Sequence, residues 1–89
     1  MTSRPPASAA PGPLPELVLD CRGVPCPRPI IELGRHIGDV ALGELVGVAA
    51  DDPAARHDVP AWCRLRGQEY AGERPAADGV AVYLVRRVS

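Results

Sequence analysis

The sequence predicts a two-layer α/β sandwich, an α+β arrangement of order β-α-β-α-β-β with two helices on one face of a four-stranded mixed sheet. Three observations lead there. The first sixteen residues, MTSRPPASAAPGPLPE, are too rich in Pro, Ala and Ser for a packed core and read as a flexible arm, which leaves residues 17–89 as one small domain. Apolar periodicity then switches twice between extended and helical, and the chain closes on two further extended runs separated by a turn. A domain of this size buries only about 60% of the surface its unfolded chain exposes, so its architecture must be simple.

Taken in order, LVLD (Leu17–Asp20) is an aliphatic run closed by a polar residue and reads as the first strand. Residues 22–25 form a loop containing Gly23. From Pro27 onward Ile30, Leu33 and Ile37 recur at i, i+3 and i+7, the stripe of an amphipathic helix, with Gly38 as its expected stop. ELVGVAA (residues 44–50) reads as the second strand, ended by Asp51-Asp52-Pro53. Pro60 suits only the first turn of a helix, so the second helix is expected to take Asp58 as N-cap, run through Arg66 and end at Gly67, with residues 53–57 as a preceding helical turn. QEYAGE is a weak third strand, RPAADG a turn-rich connection, and VAVYLVRR (residues 80–87) the fourth strand. Its alternation places Val80, Val82 and Leu84 on one face. Ala81, Tyr83 and Val85 fall on the other, expected as an apolar exposed face suited to a partner.

Composition excludes several classes of function. Ten arginines oppose eleven acids without one lysine, giving a net charge of −1 and no basic surface for direct nucleic-acid binding. The arm lacks the continuous apolar segment of a secretion signal, and no apolar run reaches membrane-spanning length, so a cytoplasmic protein without membrane contact is expected. Three cysteines cannot pair completely within one chain, which fits a reducing compartment.

The chemistry concentrates in DCRGVPCPRP, residues 20–29, which holds two of the three cysteines and three of the eleven prolines. With Cys26 as N-cap and Pro27, Arg28 and Pro29 opening the helix, the turn is stiff and lacks two amide donors. The Arg28 amide is then the main donor left for an N-cap side chain. A sulfur held there meets the positive end of the helix dipole and the guanidinium groups of Arg22 and Arg28, both of which favour the nucleophilic thiolate. No general base stands beside it in sequence, so the cysteine need only attack, be attacked and leave.

LDCRGVPCPRPIIEL, then GELVGVAADDPAARHDVPAWCRLRGQE, then VAVYLVRR together resemble the TusA/SirA/YedF-like small sulfur-carrier family, marked by a Cys-Pro-x-Pro motif at the start of the first helix. The resemblance covers residues 17–87. It implies a persulfide carrier whose motif cysteine, Cys26 here, accepts sulfane sulfur from a cysteine desulfurase or rhodanese-like donor. A downstream acceptor protein then receives it for tRNA thiolation, molybdenum-cofactor maturation or sulfur-compound oxidation. It carries the motif prolines onto Pro27 and Pro29, Asp-Asp-Pro onto Asp51, Asp52 and Pro53, and Asp-aliphatic-Pro onto Asp58, Val59 and Pro60. No cofactor beyond the covalently held sulfur is implied. Two departures stand out: Gln68 follows Gly67 where many members have histidine, and Gly34 interrupts the first helix, a feature suited to close approach to the sheet.

Other residues have competing readings. Cys21 is either a resolving thiol for a Cys26 persulfide or a small side chain ending a strand. Cys63, at i+4 from Val59, reads as a core residue. A metal site from Cys21, Cys26, Cys63, His36 and His57 lacks the usual ligand spacing, so none is expected. Asp51 and Asp52 read as a strand stop and a cap rather than an acid–base pair, and Trp62 and Tyr70 are too few to stack bases. Two rivals to the carrier remain: a regulatory or protein-interaction module of the same fold, and a redox switch that joins Cys21 to Cys26.

Overall fold

The computed structural model describes residues 14–25 and 27–89. Its elements are β1 (Leu17–Asp20), α1 (Arg28–His36), a 3-10 turn (Ile37–Asp39), β2 (Leu45–Ala49), α2 (Ala55–Arg66), β3 (Glu69–Pro75) and β4 (Ala81–Arg86). The predicted β-α-β-α-β-β order and mixed sheet are present. The strands lie in the order β1-β2-β4-β3, with β1 parallel to β2 and the other two pairings antiparallel.

Alternation along the strands builds the core. Leu17, Leu19, Val46, Val48, Tyr70, Tyr83 and Val85 face the helices and meet Leu33 of α1 and Val59, Trp62 and Cys63 of α2. The Ala81, Tyr83 and Val85 set was expected on an exposed face and is instead the helix-covered one. Strand alternation fixes which residues share a face, but the side the helices take depends on tertiary packing. The opposite face carries Leu45, Ala49, Val82 and Leu84. Gly47 lies between them, where a Cβ would stand 2.9 Å from Val82 Cγ1 and 3.2 Å from Pro15 Cγ. Glu16 donates its amide to the Leu45 carbonyl (2.9 Å) and accepts the Leu45 amide on its carboxylate (2.8 Å). The ordered unit therefore includes Pro15 and Glu16, inside the stretch expected to be a free arm. Residues 1–13 lie outside the described residues.

The helix boundaries move for identifiable reasons. In α1 the stripe of Ile30, Leu33 and Ile37 does pack on the core. The cap position belongs to Pro27, so Arg28 and Pro29 become the first two helical residues rather than the second and third. Gly38 does not end the helix in a left-handed conformation. The chain tightens into the 3-10 turn after His36 and passes through it. Gly34 faces a neighbouring helix and not the sheet: a Cβ at this position would meet Trp62 Nε1 of α2 at 3.8 Å.

In α2 Asp58 is not the N-cap. The helix begins at Ala55 and carries Pro60 as its sixth residue, which leaves the Arg56 carbonyl without its i+4 donor. The start is secured one turn earlier: Asp52 accepts the Ala54 amide at 3.0 Å, and Ala55, Arg56 and His57 donate to the carbonyls three residues back. Pro53 accordingly precedes the helix. Gly67 closes it at φ 73°, as its sequence position predicts. The β3 strand extends through Arg74 and Pro75, which shortens the expected turn, and it carries a bulge between Tyr70 and Gly72. Proline is tolerated at its end because β3 is an edge strand.

Two expected outcomes follow from this packing. Gly47→Val should destabilise the fold by about 1–3 kcal/mol in urea titration, because Val82 and Pro15 occupy the space a side chain needs. Burial pushes the Cys63 thiol up from 9.0 to about 11, and burial also raises Tyr70 and Tyr83. The Cys63 thiol ionises more readily in the unfolded chain, so its contribution is complete below pH 9 and is lost as pH climbs through about 11, and the two tyrosines act in the same direction. Urea titrations at pH 8 and pH 10.5 should show a stability loss of the order of 2 kcal/mol from Cys63, smaller in Cys63→Ala.

Candidate functional site

The parallel β1–β2 pair sends both strands to one end of the sheet, and β4 begins there because it runs against β2. Three connections meet at that end: residues 20–27, residues 50–54 and the β3–β4 turn. Cys26 lies outside the described residues, so its surroundings are defined by the neighbours on either side.

On the amino side, residues 21–24 form a turn closed by the Val24 amide donating to the Cys21 carbonyl at 3.1 Å, with Gly23 at φ 74°. Only glycine adopts that angle without steric cost, which explains its place in the motif. The Gly23 amide donates to both carboxylate oxygens of Asp51, each at 3.0 Å. Arg22 is held by two carboxylates, Asp20 at 3.0 Å and Asp78 of the β3–β4 turn at 2.9 Å. Its charge is therefore already compensated.

On the carboxyl side, the Arg28 amide donates to the Pro25 carbonyl at 3.0 Å, and Ile30 and Ile31 donate to the Pro27 carbonyl. The expectation that the Arg28 amide is left for an N-cap side chain is thus corrected: a turn of the backbone claims it. What α1 offers an anion at its start is the dipole and the Arg28 side chain, 63% exposed and touching Glu32 only at 3.5 Å.

The other cysteines are sheltered. Cys21 is 3% exposed and forms part of a depression with Leu19, Asp20, Val24, Arg28 and Glu32. Burial raises its thiol pKa, helped by Glu32 and Asp20 and opposed by Arg28. Cys63 is 1% exposed within α2, a core residue as its helical spacing predicts. A groove between the two helices starts at Pro27 and runs along Ile30, Asp58, Ala61, Trp62 and Leu65. Leu65 stands exposed in it.

The motif residues separate by role. Asp52 caps the approach to α2, Asp51 reaches across to the cysteine loop, and Pro53 and Pro60 shape α2. Gln68 binds the chain end by accepting the Val88 amide at 2.8 Å. Sequence reasoning missed the reach of Asp51 and Asp78. The only sequence signals are an acid after a strand and an Asp-Gly turn, neither of which names a distant partner. Among the described residues no group of three or more His, Cys, Asp or Glu side chains is placed to hold a metal ion. No described helix is long and apolar enough to cross a membrane.

Comparison with known proteins agrees with this arrangement. The family model for sulfurtransferase TusA matches residues 17–87. Sulfur carrier protein TusA of Pseudomonas putida strain GB-1 is 37% identical over 73 residues, covering 82% of this chain and 90% of that protein. A putative sulfur carrier protein of Archaeoglobus fulgidus is 34% identical over 70 residues, covering 79% and 91%. The crystal structure of a SirA-like protein from Desulfitobacterium hafniense superposes with a TM-score of 0.69 at 19% identity, over 82% of this chain and 99% of that one, and so shares the fold. With nearly its whole folded length matched, the chain belongs to the TusA sulfurtransferase family, and its role is that of a sulfur carrier.

Proposed function

We propose that the chain carries sulfane sulfur as a persulfide on Cys26. The observation that supports this reading most is that Pro27, Arg28 and Pro29, which follow Cys26 in the sequence, form the entrance of α1, in a chain whose other two thiols are buried. In the loading step the Cys26 thiolate attacks the outer sulfur of a donor persulfide. A new S–S bond forms at Cys26, the donor's own S–S bond breaks, and the donor cysteine leaves as thiolate. In delivery an acceptor thiolate attacks the outer sulfur on Cys26, and the Cys26 thiolate is the leaving group. Stabilising that thiolate by the helix dipole and Arg28 therefore helps both halves of the relay.

A cysteine desulfurase or a rhodanese-like protein fits the donor role, and a second thiol protein fits the acceptor role. The acceptor's pathway belongs to tRNA thiolation, cofactor maturation or sulfur metabolism, with contact to nucleic acid made by the acceptor rather than by this chain. Work on soluble protein partners suits a cytoplasmic location, and the covalent sulfur is the sole prosthetic element. Cys21 acts as a wall of the fold, because burial and two neighbouring carboxylates keep it protonated and a poor resolving nucleophile.

Incubation with a cysteine desulfurase and cysteine, without reductant, should add the mass of one sulfur atom to the wild-type chain and none to Cys26→Ser. An unmodified wild-type mass would sink the persulfide reading. Iodoacetamide at pH 7.5 should label Cys26 while leaving Cys21 and Cys63 unlabelled until urea unfolds the chain. Peptide mass mapping reads the order, and early labelling of Cys21 would restore it as a resolving thiol.

A further inference from the structure

We propose that Asp51 is a positioning residue for sulfur transfer: by gripping the Gly23 amide with its carboxylate, it fixes the course of the chain into Cys26. The inference rests on the persulfide reading above.

The turn at residues 21–24 closes through the Val24 amide, and with Gly23 at φ 74° the Gly23 amide has no acceptor inside the turn. Asp51 supplies one from 28 residues away, with both oxygens at 3.0 Å. The backbone behind Asp51 is fastened on both sides. Ala50 is buried and donates to the Ala81 carbonyl at 3.1 Å, and Asp52 accepts the Ala54 amide ahead of α2. The grip on Gly23 thus transmits the rigidity of β2, β4 and α2 to a segment that otherwise leaves the sheet at Cys21.

The other link to this segment is weaker in kind. Arg22 reaches Asp78 through a long side chain, and Asp78 is itself half exposed in a turn. Such a pair holds a side chain rather than the path of the backbone. A carboxylate binds an amide more strongly than a neutral side chain does, which accounts for an acid at position 51 although the Gly23 amide it grips lies close in sequence to the sulfur of Cys26.

Asp51→Ala removes the grip, whereas Asp51→Asn keeps one amide acceptor of the same shape. Hydrogen exchange followed by NMR should show the Gly23 amide about tenfold less protected in Asp51→Ala, with the Val48 and Val85 amides unchanged. Loading by a desulfurase with cysteine should slow about tenfold in Asp51→Ala, and Asp51→Asn should recover most of that rate. Iodoacetamide labelling of Cys26, which needs no sulfur donor, should slow in the same order of variants.

Equal labelling and loading rates in all three proteins would overturn the proposal. So would a slowed Asp51→Ala in which the Val48 and Val85 amides lose protection along with Gly23, since the residue would then be merely structural. A wild-type chain that takes no sulfur would instead defeat the persulfide reading, and the labelling series would still decide the role of Asp51.

Discussion

The parallel pairing of β1 with β2 is the constraint on which the rest of the molecule depends. Parallel neighbours cannot be joined by a tight turn, so the chain must cross back over the sheet, and α1 is that crossing. The same requirement brings the entrance of α1 to the carboxyl end of β1, beside the connection that leaves β2. The segment around Cys26 and the Asp-Asp-Pro segment become neighbours through sheet topology, although Asp51 lies 28 positions beyond Gly23 and no local pattern links them.

Much of the fold was legible because hydrophobic period is a local signal. The stripe of Ile30, Leu33 and Ile37, the apolar run in β2 and the left-handed Gly67 each reveal an element within a few residues of sequence. What the sequence did not disclose was relational. Alternation in β4 sorts its residues into two sets but not which set the helices cover. Pro60 signals a helix start, yet Asp52 and three short-range hydrogen bonds begin the helix a turn earlier and let the proline ride inside it.

The site divides along the same line. Cys26 and its prolines stand out from composition alone. The fate of the surrounding charges does not, because it is settled by acids that are distant in sequence. Arg22 reads as a free cation in the motif, and in the folded chain Asp20 and Asp78 hold it. Arg28 keeps the more open side chain, so the two arginines differ in setting: one braces the loop, and the other stays largely exposed at the start of α1.

The seating of Pro15 over Gly47, with Glu16 hydrogen-bonded to Leu45, assigns the two ends of the sheet to different uses. Anything joined ahead of residue 14 enters the domain at the amino end of β1, and the cysteine loop opens at the carboxyl end. The entry of the chain and the cysteine loop thus lie at opposite ends of one parallel strand pair.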